Sequence, residues 1–274
     1  MAAPNIYQNG PGGTIGDDVV TGALLWVANG GFVWYVGSTV SGAADAAANV
    51  GALDGGRRRE KPLLTLAQAI TNCADGDLIV CLENHAESLS AAVTINKKVT
   101  IAGEGTGSTR PRFTCTGAVN MFDITVANVR LRNLYFPAST AVATARVRIA
   151  TAGCQIVGCY FESGASDTNR AVHFITGASH GRVSGTSFVA TAATPAVGLE
   201  VVNAMTGLDM EDVTFDGGSF GFSSYAFQGT AAVTNIFWNG VDFLNHADYH
   251  LATGTTGFGV PRTASGSSVG RIDS

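Results

Sequence analysis

The sequence predicts an all-β protein built as a parallel β-solenoid, and three observations lead to that prediction. Only 14% of the 274 residues are charged, well below the roughly 25% of an ordinary globular protein. The 35 glycines far outnumber the 7 prolines, and frequent Ala, Thr and Val favour strands and tight turns over helices. The third observation, a repeat of 25 to 28 residues, determines the architecture.

The repeat is a stretch of eight residues that ends in phenylalanine. Its five copies read VRLRNLYF, CQIVGCYF, GRVSGTSF, LDMEDVTF and IFWNGVDF, and they end at Phe136, Phe161, Phe188, Phe215 and Phe243. Successive phenylalanines are 25, 27, 27 and 28 residues apart. Five residues before them stand the apolar residues Leu131, Ile156, Val183, Met210 and Trp238. Three residues before them stand Asn133, Gly158, Gly185, Asp212 and Gly240, which are the residue types that tolerate a left-handed backbone.

A single copy is too short to bury its own apolar side, so the copies must stack to form a continuous core. Alternation with a period of two residues indicates strands rather than helices. A unit of this length with a bend at a fixed position is typical of a parallel β-solenoid. The repeated phenylalanines would then form a ladder of rings inside it. The alternative is an ordinary β-sandwich with chance spacing.

The stretch PLLTLAQAITNC, which begins at Pro62, predicts the one helix. Thr65 is the expected N-cap, with Gln68 three residues later. The apolar face of this helix would contain Leu63, Leu66, Ala67 and Ile70. Because an exposed strand edge invites unwanted pairing, we expect this helix to cap the first coil. The stretches GDLIVCLEN and KKVTIAGEG would be the first strands of the winding.

The pattern divides the chain into three parts. Residues 1–31 are expected to form an N-terminal arm, residues 32–250 the β-helix domain, and residues 251–274 a Gly/Ser/Thr-rich tail. The tail lacks a closing helix, so the last coil is expected to be covered by a partner subunit or another protein. The start at Met1 lacks the pattern of a secretory signal, and no apolar run is long enough to span a bilayer. We therefore expect a chain that is made and kept in a cytoplasm.

The stretches FVWYVGS, KPLLTLAQAI, ADGDLIVCLEN and VTIAGEG together resemble the opening of right-handed parallel β-helix proteins of the pectate-lyase-like superfamily. The resemblance covers about residues 32–250, and it is strongest to bacteriophage virion and tailspike-type β-helix proteins. It implies the right-handed winding. It also implies either of two functional classes, polysaccharide lyases and hydrolases or virion parts, because one fold hosts many functions. In the superfamily, lyases typically use clustered Asp and Glu to hold calcium with an Arg or Lys base nearby, and the glycosidases use paired carboxylates.

A polar ladder is the best candidate for a site on the sequence. Fifteen residues before the phenylalanines of their coils stand Arg146, His173, Glu200 and Gln228, and Arg148 lies close to the first of them. Glu200, His173 and Arg148 are the catalytic candidates, since a carboxylate between cations could act as an acid or base. The alternative is ordinary charge pairing between outward side chains of stacked coils.

Other residues are weaker candidates for binding. Tyr225, Phe227 and Gln228 are the ligand-binding candidates, whereas Trp238 falls in the apolar column and is expected to be buried. An acidic group could in principle hold a cation; its members are Asp209, Glu211, Asp212, Asp216 and Asp242. His246 and His250 are weak evidence for a metal, so we predict no metal site and no cofactor. The five cysteines are expected to be reduced core residues.

Three functions remain open at this point. The leading hypothesis is a structural bacteriophage virion protein, either a head decoration or fibre protein or a small spike, that acts without catalysis. It would reside in the virion as a homotrimer and bind other virion proteins of the capsid or tail. Host polysaccharide is a further candidate partner. The alternatives are a β-helix polysaccharide lyase or glycoside hydrolase and a non-catalytic carbohydrate-binding adhesin. The net charge of −5 gives no reason to expect a nucleic acid as partner, and no membrane partner is expected.

Overall fold

The computed structural model describes the protein over most of the expected β-helix domain. The described residues are 31–45, 55–138, 144–164, 170–191, 197–202, 205–219, 221–222, 225–229, 234–245, 250–252 and 271–273. The expected N-terminal arm lies outside them except for its last residue, and the expected tail is described only at 251–252 and 271–273.

The chain winds through three parallel sheets, and from Leu78 onward each coil contributes to each sheet in turn. Strands are numbered in chain order. Sheet A contains β1 (Val33–Val36), β2 (Leu78–Cys81), β5 (Thr100–Gly103), β8 (Arg130–Arg132), β11 (Gln155–Val157), β14 (Gly181–Ser184), β17 (Thr206–Glu211) and β20 (Thr234–Leu244). Sheet B contains β3 (Ala86–Leu89), β6 (Arg112–Cys115), β9 (Tyr135–Phe136), β12 (Tyr160–Ser163), β15 (Ser187–Ala190) and β18 (Thr214–Asp216). Sheet C contains β4 (Val93–Ile95), β7 (Phe122–Ile124), β10 (Ala145–Ile149), β13 (Arg170–Phe174), β16 (Val197–Val201), β19 (Tyr225–Gly229) and β21 (His250–Ala252).

The long strand β20 passes through the corner between sheets A and B and pairs with β17 and then with β18. Every pairing between consecutive coils in these sheets is parallel among the described strands. The predicted parallel β-solenoid is therefore confirmed, and the sandwich alternative is wrong.

The predicted phenylalanine ladder runs through the interior. Phe136, Phe161, Phe188, Phe215 and Phe243 are partners in the strand register. Neighbouring rings are stacked, with centroids 4.6 to 5.2 Å apart and planes within 10° of each other. These centroid distances lie within the range of favourable aromatic pairs, so each ring contacts the ring of the next coil.

A further phenylalanine, Phe113, extends the ladder toward the N-terminus. Its ring lies 6.1 Å from that of Phe136, tilted by 33°. The repeat pattern misses it because residues 104–111, which include a 3₁₀ turn at Gly107–Thr109, lengthen the connection between sheets A and B in this coil.

The bend column has the predicted left-handed backbone. The φ angles of Asn133, Gly158, Gly185, Asp212 and Gly240 lie between 51° and 64°. Their amides still bond between coils, as when Gly158 N–H donates to the Ser184 carbonyl at 2.8 Å. The corner between sheets A and B is thus turned by one residue without losing the hydrogen-bond ladder.

The predicted helix, α1, spans Leu66–Asn72, and Thr65 caps it by accepting the Gln68 amide. It contacts β1 and β4 at the N-terminal end of the stack. Its buried residues are Leu66, Ala69 and Ile70. The prediction that Ala67 is on this face is wrong: Ala67 is exposed, because the helix begins at Leu66 and positions 66, 69 and 70 then share a face.

The C-terminal end of the stack differs from the sequence-based expectation. A strand from the tail, β22 (Arg271–Asp273), pairs antiparallel with β20 through Asn239–Asp273 and Asp242–Arg271. The tail thus covers part of the edge of β20. From the sequence, this cover was expected to come from a partner subunit or another protein.

All five cysteines are free and buried, as predicted. Burial raises the pKa of Cys73 to about 11 and that of Cys159 to about 12, so both stay as unreactive thiols. In the part of the chain that is described, no helix combines the length and apolar character needed to cross a membrane.

Truncation of one ring should show how much the phenylalanine ladder contributes to stability. Phe188 is fully buried, and we expect Phe188→Ala to lower the free energy of unfolding by about 3–5 kcal/mol. Chemical denaturation measures this. The neighbouring Val189 faces outward and is part-buried, so Val189→Ala serves as the control with a smaller loss. A loss below about 1 kcal/mol in Phe188→Ala would contradict the ladder's role.

Candidate functional site

The polar side chains predicted on sheet C form one row across its outer face. The register aligns Asp123, Arg148, His173, Glu200 and Gln228, one from each of five successive strands. We call these five residues the polar row. The structure therefore brings the catalytic candidates Glu200, His173 and Arg148 together.

Arg146 does not belong to this row, contrary to the prediction. It is fully buried, and its Nη1 donates to Ser163 Oγ at 3.4 Å. The row position in that coil is held by Arg148, which pairs in register with His173. The reason is turn length: five residues separate Ile149 from Gln155, whereas seven separate their register partners Phe174 and Arg182. Counting back from the phenylalanine therefore overshoots by two residues.

The charges of the polar row are paired between coils. Arg148 donates two hydrogen bonds to the Asp123 carboxylate, from Nε at 2.8 Å and from Nη2 at 3.1 Å. Glu200, whose side chain is only 3% exposed, accepts a hydrogen bond from Arg170 Nε. The Nε2 atom of His173 lies 3.4 Å from the same Glu200 oxygen. Each carboxylate of the row therefore has an arginine partner.

The surroundings of His173 favour its neutral form. Burial lowers the pKa of its imidazole; Glu200 opposes that shift, while Arg170 and Arg148 reinforce it. Neither ring nitrogen makes a hydrogen bond to a described residue. The lowered pKa favours the uncharged imidazole, which lies beside the buried carboxylate of Glu200.

The spacing of the carboxylates determines which reactions the row supports. Asp123 and Glu200 lie three strands apart, or about 14 Å at ~4.8 Å per strand. Glycosidases hold their two carboxyl groups about 5–9.5 Å apart. Asp123 and Glu200 therefore do not form such a pair.

The acidic group noted in the sequence is dispersed. Asp209 and Glu211 lie on the outer face of sheet A, and both contact Arg182. Asp212 occupies the bend column, and Asp216 accepts the Gly218 amide at 2.8 Å. Among the residues described, no three His, Cys, Asp or Glu side chains are arranged to hold a metal ion. His246 and the side chain of His250 lie outside the described part.

The ligand-binding candidates divide into two kinds. Tyr225 and Gln228 are part-buried on β19. Phe227 is fully buried and packs edge-on against Trp238, with ring centroids 5.0 Å apart. The expectation that Phe227 contacts a ligand is wrong, because its register partner is the core residue Leu199. Trp238 is buried, as predicted.

The outer face of sheet B has a groove that the sequence did not indicate. We use "the groove" for this cavity of about 440 Å³, which is lined by Gly107, Ser108, Arg110, Tyr135, Tyr160 and Glu162. Tyr135 and Tyr160 are register partners with ring centroids 5.6 Å apart. The Tyr135 hydroxyl donates to Glu162 Oε2 at 2.7 Å. Burial raises the pKa of both tyrosines, and the bond to Glu162 raises that of Tyr135 further.

One signal for the groove was present in the sequence. A tyrosine precedes the final phenylalanine in the two consecutive copies VRLRNLYF and CQIVGCYF. Because the copies stack in register, the same residue type at the same position predicts two adjacent outward tyrosines. The wall formed by Gly107, Ser108 and Arg110 has no such signal, since it comes from the irregular connection between β5 and β6.

The sequence matches no protein-family model and no curated protein. Its structure is similar to that of a rhamnogalacturonan lyase, with a TM-score of 0.50, 11% identity, and coverage of 78% of this chain and 73% of that one. A pectate lyase, Pel9A, gives a TM-score of 0.45 at 9% identity, and the alignment covers 78% of this chain and 64% of the lyase. At such identity the similarity to the rhamnogalacturonan lyase shows the fold. The chain therefore has a parallel β-helix fold, like that lyase.

The two ion pairs of the polar row should differ in their contribution to stability. Arg170→Met leaves the carboxylate of Glu200 buried and unpaired, and should lower the free energy of unfolding by about 3 kcal/mol. Arg148→Met breaks a more exposed pair, since the side chain of Asp123 is 15% exposed and that of Glu200 only 3%, and it should cost about 1 kcal/mol or less. Urea denaturation of both variants tests this. Equal losses would mean that the burial of Glu200 is not what makes its pair important.

The neutral state of His173 predicts a dependence of stability on pH. Its folded-state pKa lies below the ordinary value of 6.5, so the unfolded chain binds the proton first as the pH falls. The contribution of His173 to stability is therefore complete above about pH 6.5 and declines as the pH falls toward the folded-state pKa.

His173→Gln should remove this component from denaturation curves measured between about pH 7.5 and 5.5. His180 is exposed and has a φ of 49°, so His180→Asn is the control and should retain the wild-type pH dependence. An unchanged slope in His173→Gln would show that another group causes the acid sensitivity.

Proposed function

We propose that this protein is a structural, non-enzymatic subunit of a bacteriophage particle, as a head decoration or fibre protein or a small spike. The observation that supports this function most is the pairing of charges along the polar row. The guanidinium of Arg148 is bound by Asp123 at 2.8 and 3.1 Å, and Arg170 is bound by Glu200. These arginines link neighbouring coils, and each carboxylate of the row is hydrogen-bonded to one of them.

The interior supports the same role. The stacked phenylalanines and the inter-coil hydrogen bonds give each coil two sets of contacts with the next. A solenoid of this kind gains its stability from interfaces between neighbouring repeats. It provides a stiff rod whose outer faces can carry contacts to other proteins.

The virion context rests on the resemblance of residues 32–250 to virion and tailspike-type β-helix proteins. On this proposal the chain assembles as a homotrimer in the virion and contacts capsid or tail proteins. Carbohydrate on the host surface is a further partner that a particle protein of this type can contact.

Light scattering on the purified full-length chain provides the first test. We expect a stable trimer, with a mass close to three times 28.1 kDa. A monomer would contradict the assembly that we propose.

The enzymatic alternative, a β-helix polysaccharide lyase or glycoside hydrolase, is favoured by one observation: the neutral His173 lies beside the buried Glu200. Incubation with acidic and capsular polysaccharides distinguishes the two functions. Release of new chain ends by the wild type, lost in Glu200→Gln, would overturn the structural role. No release is expected.

A further inference from the structure

The groove on sheet B has two chemically different parts. Tyr135 and Tyr160 are partly accessible and provide aromatic faces on successive coils, with ring planes inclined by 57°. Glu162 and Arg110 provide an acceptor and a set of donors around them. A volume of about 440 Å³ is within the usual range for small-molecule sites, roughly 300–1,000 Å³.

Arg110 has hydrogen-bonding capacity that the chain leaves unused. Its Nε is buried and has no hydrogen-bond partner among the described residues. A buried donor without a partner costs free energy. Arg110 also lines the groove, so its guanidinium is next to any acceptor that a ligand places there. Glu162 offers the complementary group, because Tyr135 engages its Oε2 and a carboxylate can accept several hydrogen bonds.

The charges around the groove balance. Arg110 lies in its wall, and Arg112 is the register partner of Tyr135. Against them stand Glu162, and Asp216 two strands further along the same face of sheet B. A surface with equal numbers of both signs does not concentrate an anionic ligand. A ligand with several neutral hydroxyl groups can both donate to Glu162 and accept from Arg110.

We propose that the groove binds a neutral pyranose unit of an oligosaccharide. The C–H face of the sugar ring packs on Tyr160, where apolar contact and dispersion favour it. One hydroxyl donates to Glu162 and another accepts from Arg110, and both are charge-assisted hydrogen bonds. Tyr135 contributes the second ring and holds Glu162 in position.

This site goes beyond the structural role and does not depend on it. A rigid particle subunit can lack any sugar site, and a monomer can possess one. The mass measurement therefore tests the structural role, and the binding measurement tests the sugar site, independently of each other.

The test is isothermal titration of the full-length chain with cello-, malto- and manno-oligosaccharides and with trigalacturonate. We expect at least one neutral oligosaccharide to bind more tightly than trigalacturonate. Tyr160→Ala should weaken that binding at least about tenfold, as the loss of one stacking contact does. Phe237 is a 56% exposed aromatic on sheet A, so Phe237→Ala is the matched control and should bind as the wild type does.

Arg110→Met gives a second variant that leaves both tyrosines in place, and thermal melting verifies that each variant is folded. We expect Arg110→Met to weaken binding of the same oligosaccharide about tenfold. The proposal is overturned if no neutral probe binds at millimolar concentration, if trigalacturonate binds best, or if a folded Tyr160→Ala or Arg110→Met binds as the wild type does.

Discussion

Each coil of this protein must place a compatible side chain over the corresponding side chain of the coil before it, because parallel strands in register hold equivalent residues about 4.8 Å apart. The phenylalanine ladder is the clearest consequence, since flat rings at centroid distances of 4.6 to 5.2 Å fill that spacing. The left-handed bend three residues earlier sets the direction in which each ring enters the core. A short repeat thus specifies a long core, because every position is decided together with its neighbours in the stack.

The same spacing governs the outer faces. Two equal charges about 4.8 Å apart repel, so a charged row is stable only when opposite charges or neutral groups alternate. The polar row follows this rule, with Asp123 beside Arg148 and the neutral His173 between Arg148 and Glu200. The burial of Glu200 strengthens the requirement, since a buried carboxylate needs a cation, and Arg170 provides it. Charge compensation therefore explains this row physically, and it is the observation on which our proposal of a structural role rests.

The groove shows what happens where the repeat is interrupted. Between β5 and β6 the chain departs from the short bend and inserts residues 104–111, with a 3₁₀ turn at Gly107–Thr109. This insertion stands beside the outward tyrosines of the next two coils and forms a wall against an otherwise open sheet. The irregular coil thus hides Phe113 from the sequence repeat. It also creates a cavity lined by Arg110, whose Nε has no hydrogen-bond partner within the described part of the chain. Regular coils provide the support, and the irregular coil provides the concave surface that a ligand needs.

By itself the sequence determined the solenoid, its core columns, the bend positions and the helix near the N-terminus, because these depend on local residue type and on spacing that repeats. It also placed His173, Glu200 and Gln228 in one row. Only the tertiary structure decided that Arg148 rather than Arg146 joins them, since a turn shorter by two residues changes the register. The same is true of the burial of Phe227, the contact between Arg170 and Glu200, and the groove. These features depend on which coil lies beside which, and on how far an irregular connection reaches, and neither is encoded in the period of the repeat.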